Sequence, residues 1–162
     1  MEEQFLKAYD DYADAIFRHC YFRVFSRERA RELMQETFTR TWEYAIKGKA
    51  IENIRAFLYR VANNLIIDES RKKKEISLDA LQEKGFSPSQ PQGYKRIENV
   101  LEGKYAIEKL MMLDQKYRKA VLMRYVDDLM PKEIAEILGE SENVISVRIH
   151  RGMEQLRQKF IL

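Results

Sequence analysis

The chain holds one cysteine, two histidines, three prolines and six glycines in 162 residues. Cys20 has no partner for an internal disulfide, which fits a reducing cytoplasm. His19 and His150 lie far apart and, with a single cysteine, do not make up a zinc site; no metal or cofactor is expected. No apolar run approaches the roughly 20 residues needed to cross a bilayer. The opening Met1, Glu2 and Glu3 lack the basic head of a signal peptide. The expectation is therefore a cytoplasmic chain with no membrane insertion. Charge of one sign is also scarce: 29 basic residues against 26 acidic ones leave a net charge of +3. That excludes a protein that holds nucleic acid by bulk charge alone. What is present is 45% apolar residues, enough for a core, and so few breakers that the fold class should be all-α.

The breakers that exist are clustered. Pro88, Pro91, Gly85, Gly93 and Gly103 all fall within residues 75–103, and 84–93 shows no helical period. Charge follows the same division: segment 1–74 is net +3, segment 75–103 is net −2 and segment 104–162 is net +2. The reading is two small helical domains, 1–74 and 104–162, joined by a flexible acidic linker at 75–103. Each domain is near the size, roughly 60 residues, at which a core becomes marginal, so partners should add stability.

In the first domain Phe5, Tyr9, Tyr12, Ile16, Cys20 and Val24 recur at helical spacing. Ser26 is placed to cap a second helix, with Leu33, Phe38, Thr41, Trp42 and Ala45 inward and Gly48 beyond its end. Asn53 is placed to cap a third, expected to run to about Ser70 with Ile54, Leu58, Val61 and Leu65 buried. The result is a three-helix bundle. In the second domain Ile97, Val100, Leu101, Ile107, Leu110 and Met111 mark one helix, and Asp114 is expected to cap the next. Pro131 suits a first helical turn, Gly139 ends that helix, and Ser141 caps the last, which carries Ile145, Ile149, Leu156 and Phe160.

The most specific local pattern is Pro131 to Arg151, a short helix, a tight turn at Gly139 and Glu140, and a capped second helix: a helix-turn-helix. Such a unit places its second helix in the major groove. Its solvent face would offer Glu142, Asn143, Ser146, Arg148, His150 and Arg151, with amides and hydroxyls for base edges and arginines for charge. The alternative is a helical hairpin with a solvated charged face. On the third helix Arg60, Asn63, Asn64, Asp68 and Arg71 lie on or near one side, with Lys72 following and Tyr59 or Phe57 offered as a stacking plane. That face suits melted DNA, and a solvated face with a charged end suits the residues equally. Lys47 and Lys49 form a basic loop just before it. On the second helix the pair Leu33 and Met34 carries more apolar surface than one stripe needs, which fits a dock for another protein's helix or ordinary core packing. No glycine-rich phosphate loop, nucleophile motif or metal-spaced cluster is present, so no enzyme is expected.

Three segments resemble bacterial RNA polymerase sigma factors of the extracytoplasmic-function (ECF) type. Glu32 to Trp42 resembles the family's core-polymerase-binding helix, Arg55 to Arg71 its promoter-melting and −10-recognition helix, and Tyr125 to Arg151 its −35-reading helix-turn-helix. Order and intervals match over nearly the whole chain. The resemblance implies a non-enzymatic, dissociable subunit whose partners are core RNA polymerase, through its beta and beta-prime subunits, and promoter DNA. It assigns polymerase binding to Leu33, Met34, Gln35, Glu36 and Phe38. It assigns −10 binding and melting to Lys47, Lys49, Asn53, Tyr59, Arg60, Asn63, Asn64, Arg71 and Lys72, with the loop 45–54 holding a flipped base at a cost of a few kcal/mol of unstacking. It assigns −35 binding to residues 141–151. Family members are often held by an anti-sigma factor, so that partner is carried too, although no residue announces it. A habitual lysine of the recognition helix is Ser146 here, and Phe57 stands where the family commonly has Trp. A stand-alone helix-turn-helix regulator and a helical protein-binding adaptor are the alternatives.

Overall fold

The computed structural model describes residues 1–84 and 104–161, the side chains of 77–84, 104–107 and 160–161 excepted. Among the described residues every regular element is a helix: α1 Glu2–Val24, α2 Arg27–Ile46, α3 Ile54–Lys84, α4 Lys104–Met112, α5 Gln115–Tyr125, α6 Pro131–Leu138 and α7 Glu142–Ile161. The chain divides into two compact units, Met1–Tyr94 and Lys95–Leu162.

In the first unit the joints are made by a few residues. Phe25 ends α1 in the left-handed conformation (φ 54°), its N–H donating to the Tyr21 carbonyl. A side chain in that region costs about 1–2 kcal/mol, and burial of the Phe25 ring offsets it. Ser26 then turns extended, and its Oγ accepts from Arg29 N at 3.2 Å, so α2 folds straight back on α1. Asn53 starts α3: its Oδ1 accepts from Ala56 N at 3.1 Å and its carbonyl from Phe57 N at 3.0 Å.

Ile16 and Cys20 of α1, Ala30, Leu33 and Phe38 of α2, and Leu58, Ala62 and Leu65 of α3 are buried. Thr37 and Thr41 are fully buried as well, yet their hydroxyls are satisfied along their own helix by the carbonyls of Leu33 (2.7 Å) and Thr37 (2.8 Å). One end of the core is aromatic, with Phe38 between the edges of Phe5 and Tyr9 and with Trp42 against Phe5 at 4.9 Å. At the other end Arg29 of α2 donates to Glu69 of α3 and pairs with Glu32 at 2.6 Å. The bond to Glu69 is the main reason the Arg29 pKa is raised.

Helix α3 runs to Lys84, well past the end expected near Ser70, so residues 75–84, assigned above to the linker, are helical. The hydrophobic stripe thins after Ile67, but no Gly or Pro interrupts the backbone before Gly85. The remainder of the linker, and the helix marked by Ile97, Val100 and Leu101, lie outside the described residues.

In the second unit α5 packs on α7. Leu113, Tyr117, Val121 and Leu156 form a buried cluster with Leu110 and Met153 against it. Asp114 occupies the N-cap position of α5, but its carbonyl accepts from Tyr117 N and Arg118 N while its side chain makes no cap bond; the expected side-chain cap is absent. Glu133 Oε1 accepts from Met130 N at 3.2 Å, locking the first turn of α6 behind Pro131. Gly139 supplies a φ of 69°, Glu140 N reaches back to the Ala135 carbonyl, and Ser141 Oγ accepts from Val144 N at 3.2 Å. Ile145 is thereby turned fully inward.

Helices α5 and α7 pack tightly at Gly152, where a Cβ would stand 2.7 Å from Val121 Cγ2 and 3.4 Å from Tyr117 Cβ. Gly152→Ala gains about 1 kcal/mol of helix propensity, whereas overpacking costs about 1–3 kcal/mol. A net loss of about 1 kcal/mol, read as a lower urea midpoint, is expected, with Gly152→Val losing more. An unchanged or raised midpoint would show that Val121 yields freely.

Candidate nucleic-acid and partner interfaces

The helix-turn-helix fixes which side of α7 is free. With Ile145 inside, Ser141, Glu142, Asn143, Val144, Ser146, Val147, His150 and Arg151 are exposed, and Arg148 is half-buried. The residues expected on one surface are brought together there. Ser141 divides its role, since its Oγ serves the helix cap. His150 pairs with Glu154 at 3.3 Å, and Arg148 Nη2 lies 3.2 Å from Glu140 Oε1. A shallow groove beside the helix is lined by Asn143, Val144, Val147, Arg148 and Arg151, with Lys116 from α5 on its far wall.

Three of these residues were missed by pattern reading. Val144 and Val147 are 37% and 45% exposed, and two valines three positions apart could meet a thymine methyl in a groove. Their signal was the apolar pair of Val144 and Ile145, which one buried stripe cannot accommodate. Lys116 had no local signal, because only the tertiary packing of α5 on α7 places it there.

The face of α3 divides. Arg60, Asn64, Asp68, Arg71 and Lys72 are exposed along one side. Tyr59 is 1% exposed and packs edge-on against His19 at 5.2 Å, and Asn63 is 6% exposed. Of the residues expected to contact −10 DNA on this helix, these two are turned into the bundle by the helical period. Phe57 lies 4.8 Å from Tyr44, with Lys49 Nζ 5.1 Å over the Tyr44 ring. The last turn of α2 and the first turn of α3 thus bring Tyr44 and Phe57 together beside the connecting loop, where Lys47 and Lys49 are exposed around Gly48, whose φ is 78°. Asn53 lies in the same loop with its Oδ1 committed to the helix start.

On α2, Leu33, Met34 and Phe38 are buried and Gln35 and Glu36 are exposed. The three apolar residues belong to the buried stripe of α2, so in the folded chain the exposed part of the segment expected to bind polymerase is Gln35 and Glu36. The outward surface is polar, formed by Glu32, Gln35, Glu36, Thr39, Arg40 and Glu43, with Glu36 and Arg40 paired at 2.8 Å. Among the described residues no helix is long and apolar enough to cross a membrane.

Known proteins share this layout. The family model of sigma-70 region 2 matches residues 8–76, and that of sigma-70 region 4 matches residues 104–156. The chain is 30% identical to the ECF RNA polymerase sigma factor SigW of Bacillus subtilis, covering 98% of this chain and 89% of the relative. It is 25% identical to the ECF RNA polymerase sigma factor SigL of Mycobacterium tuberculosis, covering 92% and 84%. The sigma factor RpoE of Bartonella quintana, solved in complex with the anti-sigma factor NepR, has a TM-score of 0.76 at 18% identity over 99% of this chain and 98% of that one. CnrH, solved with the cytosolic domain of CnrY, has a TM-score of 0.72 at 18% identity over 98% and 88%. Those two likenesses establish the fold.

A three-helix unit followed by a helix-turn-helix unit, matching regions 2 and 4 in order, defines a sigma-70-class protein. The chain belongs to the ECF RNA polymerase sigma factor family. Its function is that of the family, promoter-directed initiation of transcription, and the stand-alone regulator and the adaptor are not supported.

Burial separates two roles on α2. Leu33→Ala should destabilise the first unit by about 2–5 kcal/mol, whereas Gln35→Ala and Glu36→Ala should stay within about 0.5 kcal/mol. Urea unfolding followed by the fluorescence of Trp42, the single tryptophan, checks this. Equal effects at the three positions would contradict it.

Proposed function

We propose a division of labour along the chain. Core RNA polymerase docks on the outward polar surface of α2 around Gln35 and Glu36. The α2–α3 loop and the exposed side of α3, with Lys47, Lys49, Arg60, Asn64, Arg71 and Lys72, hold the melted −10 strand. Residues 141–151 read −35 duplex. The chain is a non-enzymatic, dissociable subunit working in the cytoplasm, and it takes an anti-sigma factor as a partner, as RpoE of Bartonella quintana does with NepR.

The observation that carries the reading is the two-sidedness of α7. One face is tied down by Ile145 and by the tight crossing at Gly152, while the opposite face leaves Asn143, Ser146 and Arg151 exposed on a rigid, capped helix. Rigid presentation is what base readout requires, and a solvated hairpin would have no use for it. For the −10 side, the support is the exposed run of amide and basic groups from Arg60 to Lys72 beside the Tyr44 and Phe57 rings, which suits stacking and backbone contacts to single strands. The modest charge of each unit means that neither grips duplex DNA strongly alone, as befits a subunit that depends on polymerase.

Run-off transcription with core polymerase tests the division. Promoter-specific transcripts are expected only when chain and core are both present. Asn143→Ala and Arg151→Ala should each lower transcription from −35-dependent promoters by an amount equivalent to about 1–3 kcal/mol while leaving polymerase association intact. Gln35→Ala with Glu36→Lys should weaken association itself by about tenfold. Association unaffected by the α2 changes, or transcription unaffected by the α7 changes, would sink the corresponding half.

A further inference from the structure

Arg148 stands between two grooves of the second unit. On one side are Asn143, Val144, Val147 and Arg151; on the other are Gln115, Lys119 and Leu138; Lys116 lines both. Glu140, in the turn of the helix-turn-helix, is the one carboxylate lining either groove among the described residues, and its Oε1 lies 3.2 Å from Arg148 Nη2. The side chains of Arg148 and Glu140 are 24% and 39% exposed, so the pair is neither sealed in the core nor free in solvent. Glu140 makes no helix cap with that carboxylate; its backbone N–H, bonded to the Ala135 carbonyl, already closes the turn.

We infer that Glu140 is an affinity-limiting counter-charge that occupies Arg148 until a backbone phosphate of duplex DNA displaces it. The inference rests on the reading of residues 141–151 as a duplex-facing helix. Lys116, Lys119 and Arg148 converge on the space a phosphate would enter, and a phosphate oxygen competes with the Glu140 carboxylate for the same guanidinium N–H groups. Exposed pairs of this kind are weak, so the carboxylate can be displaced. Each encounter with DNA must nevertheless break the pair, which lowers duplex affinity without removing a cation. The free chain is thereby kept off random duplex, while contacts to polymerase and to the −10 strand compensate at a promoter.

The test uses the full chain and a random-sequence duplex, titrated by fluorescence anisotropy at low salt, with polymerase absent so that a failure of promoter-directed transcription would not affect the outcome. Glu140→Gln keeps the shape of the turn and should tighten binding by about two- to five-fold, the range that releasing an exposed ion pair allows. Arg148→Gln, which retains part of the stem, should weaken binding. In the Arg148→Gln background, adding Glu140→Gln should give little or no further gain. A gain of the same size in both backgrounds would overturn the inference, because Glu140 would then act only as general negative charge. No gain from Glu140→Gln, or no duplex binding by any of the four chains, would overturn it as well.

Discussion

The constraint on which the structure depends is that each helix buries only one stripe. Two units of this size have no room for a helix apolar on all sides, so α1 to α3 meet through Ile16, Leu33, Phe38, Leu58 and Leu65, and α5 meets α7 through Tyr117, Val121 and Leu156. Small residues let the stripes close: Ala30, Thr37 and Thr41 on α2, Ala62 on α3, and Gly152 on α7. Because the hydroxyls of Thr37 and Thr41 bond back to their own helix, the close approach leaves neither buried hydroxyl unsatisfied. What lies outside those stripes is free for partners, so the surfaces proposed to be functional are polar faces of core helices.

The same constraint explains what was legible in the sequence. Ser26, Asn53, Gly139 and Ser141 punctuate helices through bonds to residues three or four positions away, and Pro131 sets a first turn by its fixed φ, so the joints could be read locally. The helix-turn-helix followed, since its turn and its inward Ile145 are set by that punctuation. Faces were harder. A resemblance to a family marks a segment, but Leu33, Phe38, Tyr59 and Asn63 lie in the right segments and face inward. Side-chain polarity misleads at Asn63 and Tyr59, where tertiary packing determines exposure. Lys116 joins the groove of Val147 through the crossing of α5 and α7, a long-range fact with no local trace. The end of α3 was misplaced because the hydrophobic stripe fades well before the backbone meets a breaker.

Charge placement links the two halves of the account. Net +3 over the whole chain is little for a DNA-binding protein, and part of what exists is already engaged: Arg29 by Glu69 and Glu32, Arg40 by Glu36, Arg148 by Glu140. The pair of Arg29 and Glu69 ties the start of α2 to the middle of α3, just before the run from Arg71 to Lys74, so the basic tract is carried on a helix anchored to the core. On the proposed reading, a protein built this way locates DNA with little electrostatic grip and relies on a larger partner to hold it there.

The central claim is that α3 and α7 face two different parts of one promoter. Photo-cross-linking from a benzophenone side chain placed at Asn64 or at Asn143, within holoenzyme assembled on promoter DNA, tests it most directly. The account predicts that position 64 marks the melted strand near −10 and position 143 marks the duplex near −35. Both positions marking the same DNA segment, or neither marking DNA, would contradict it.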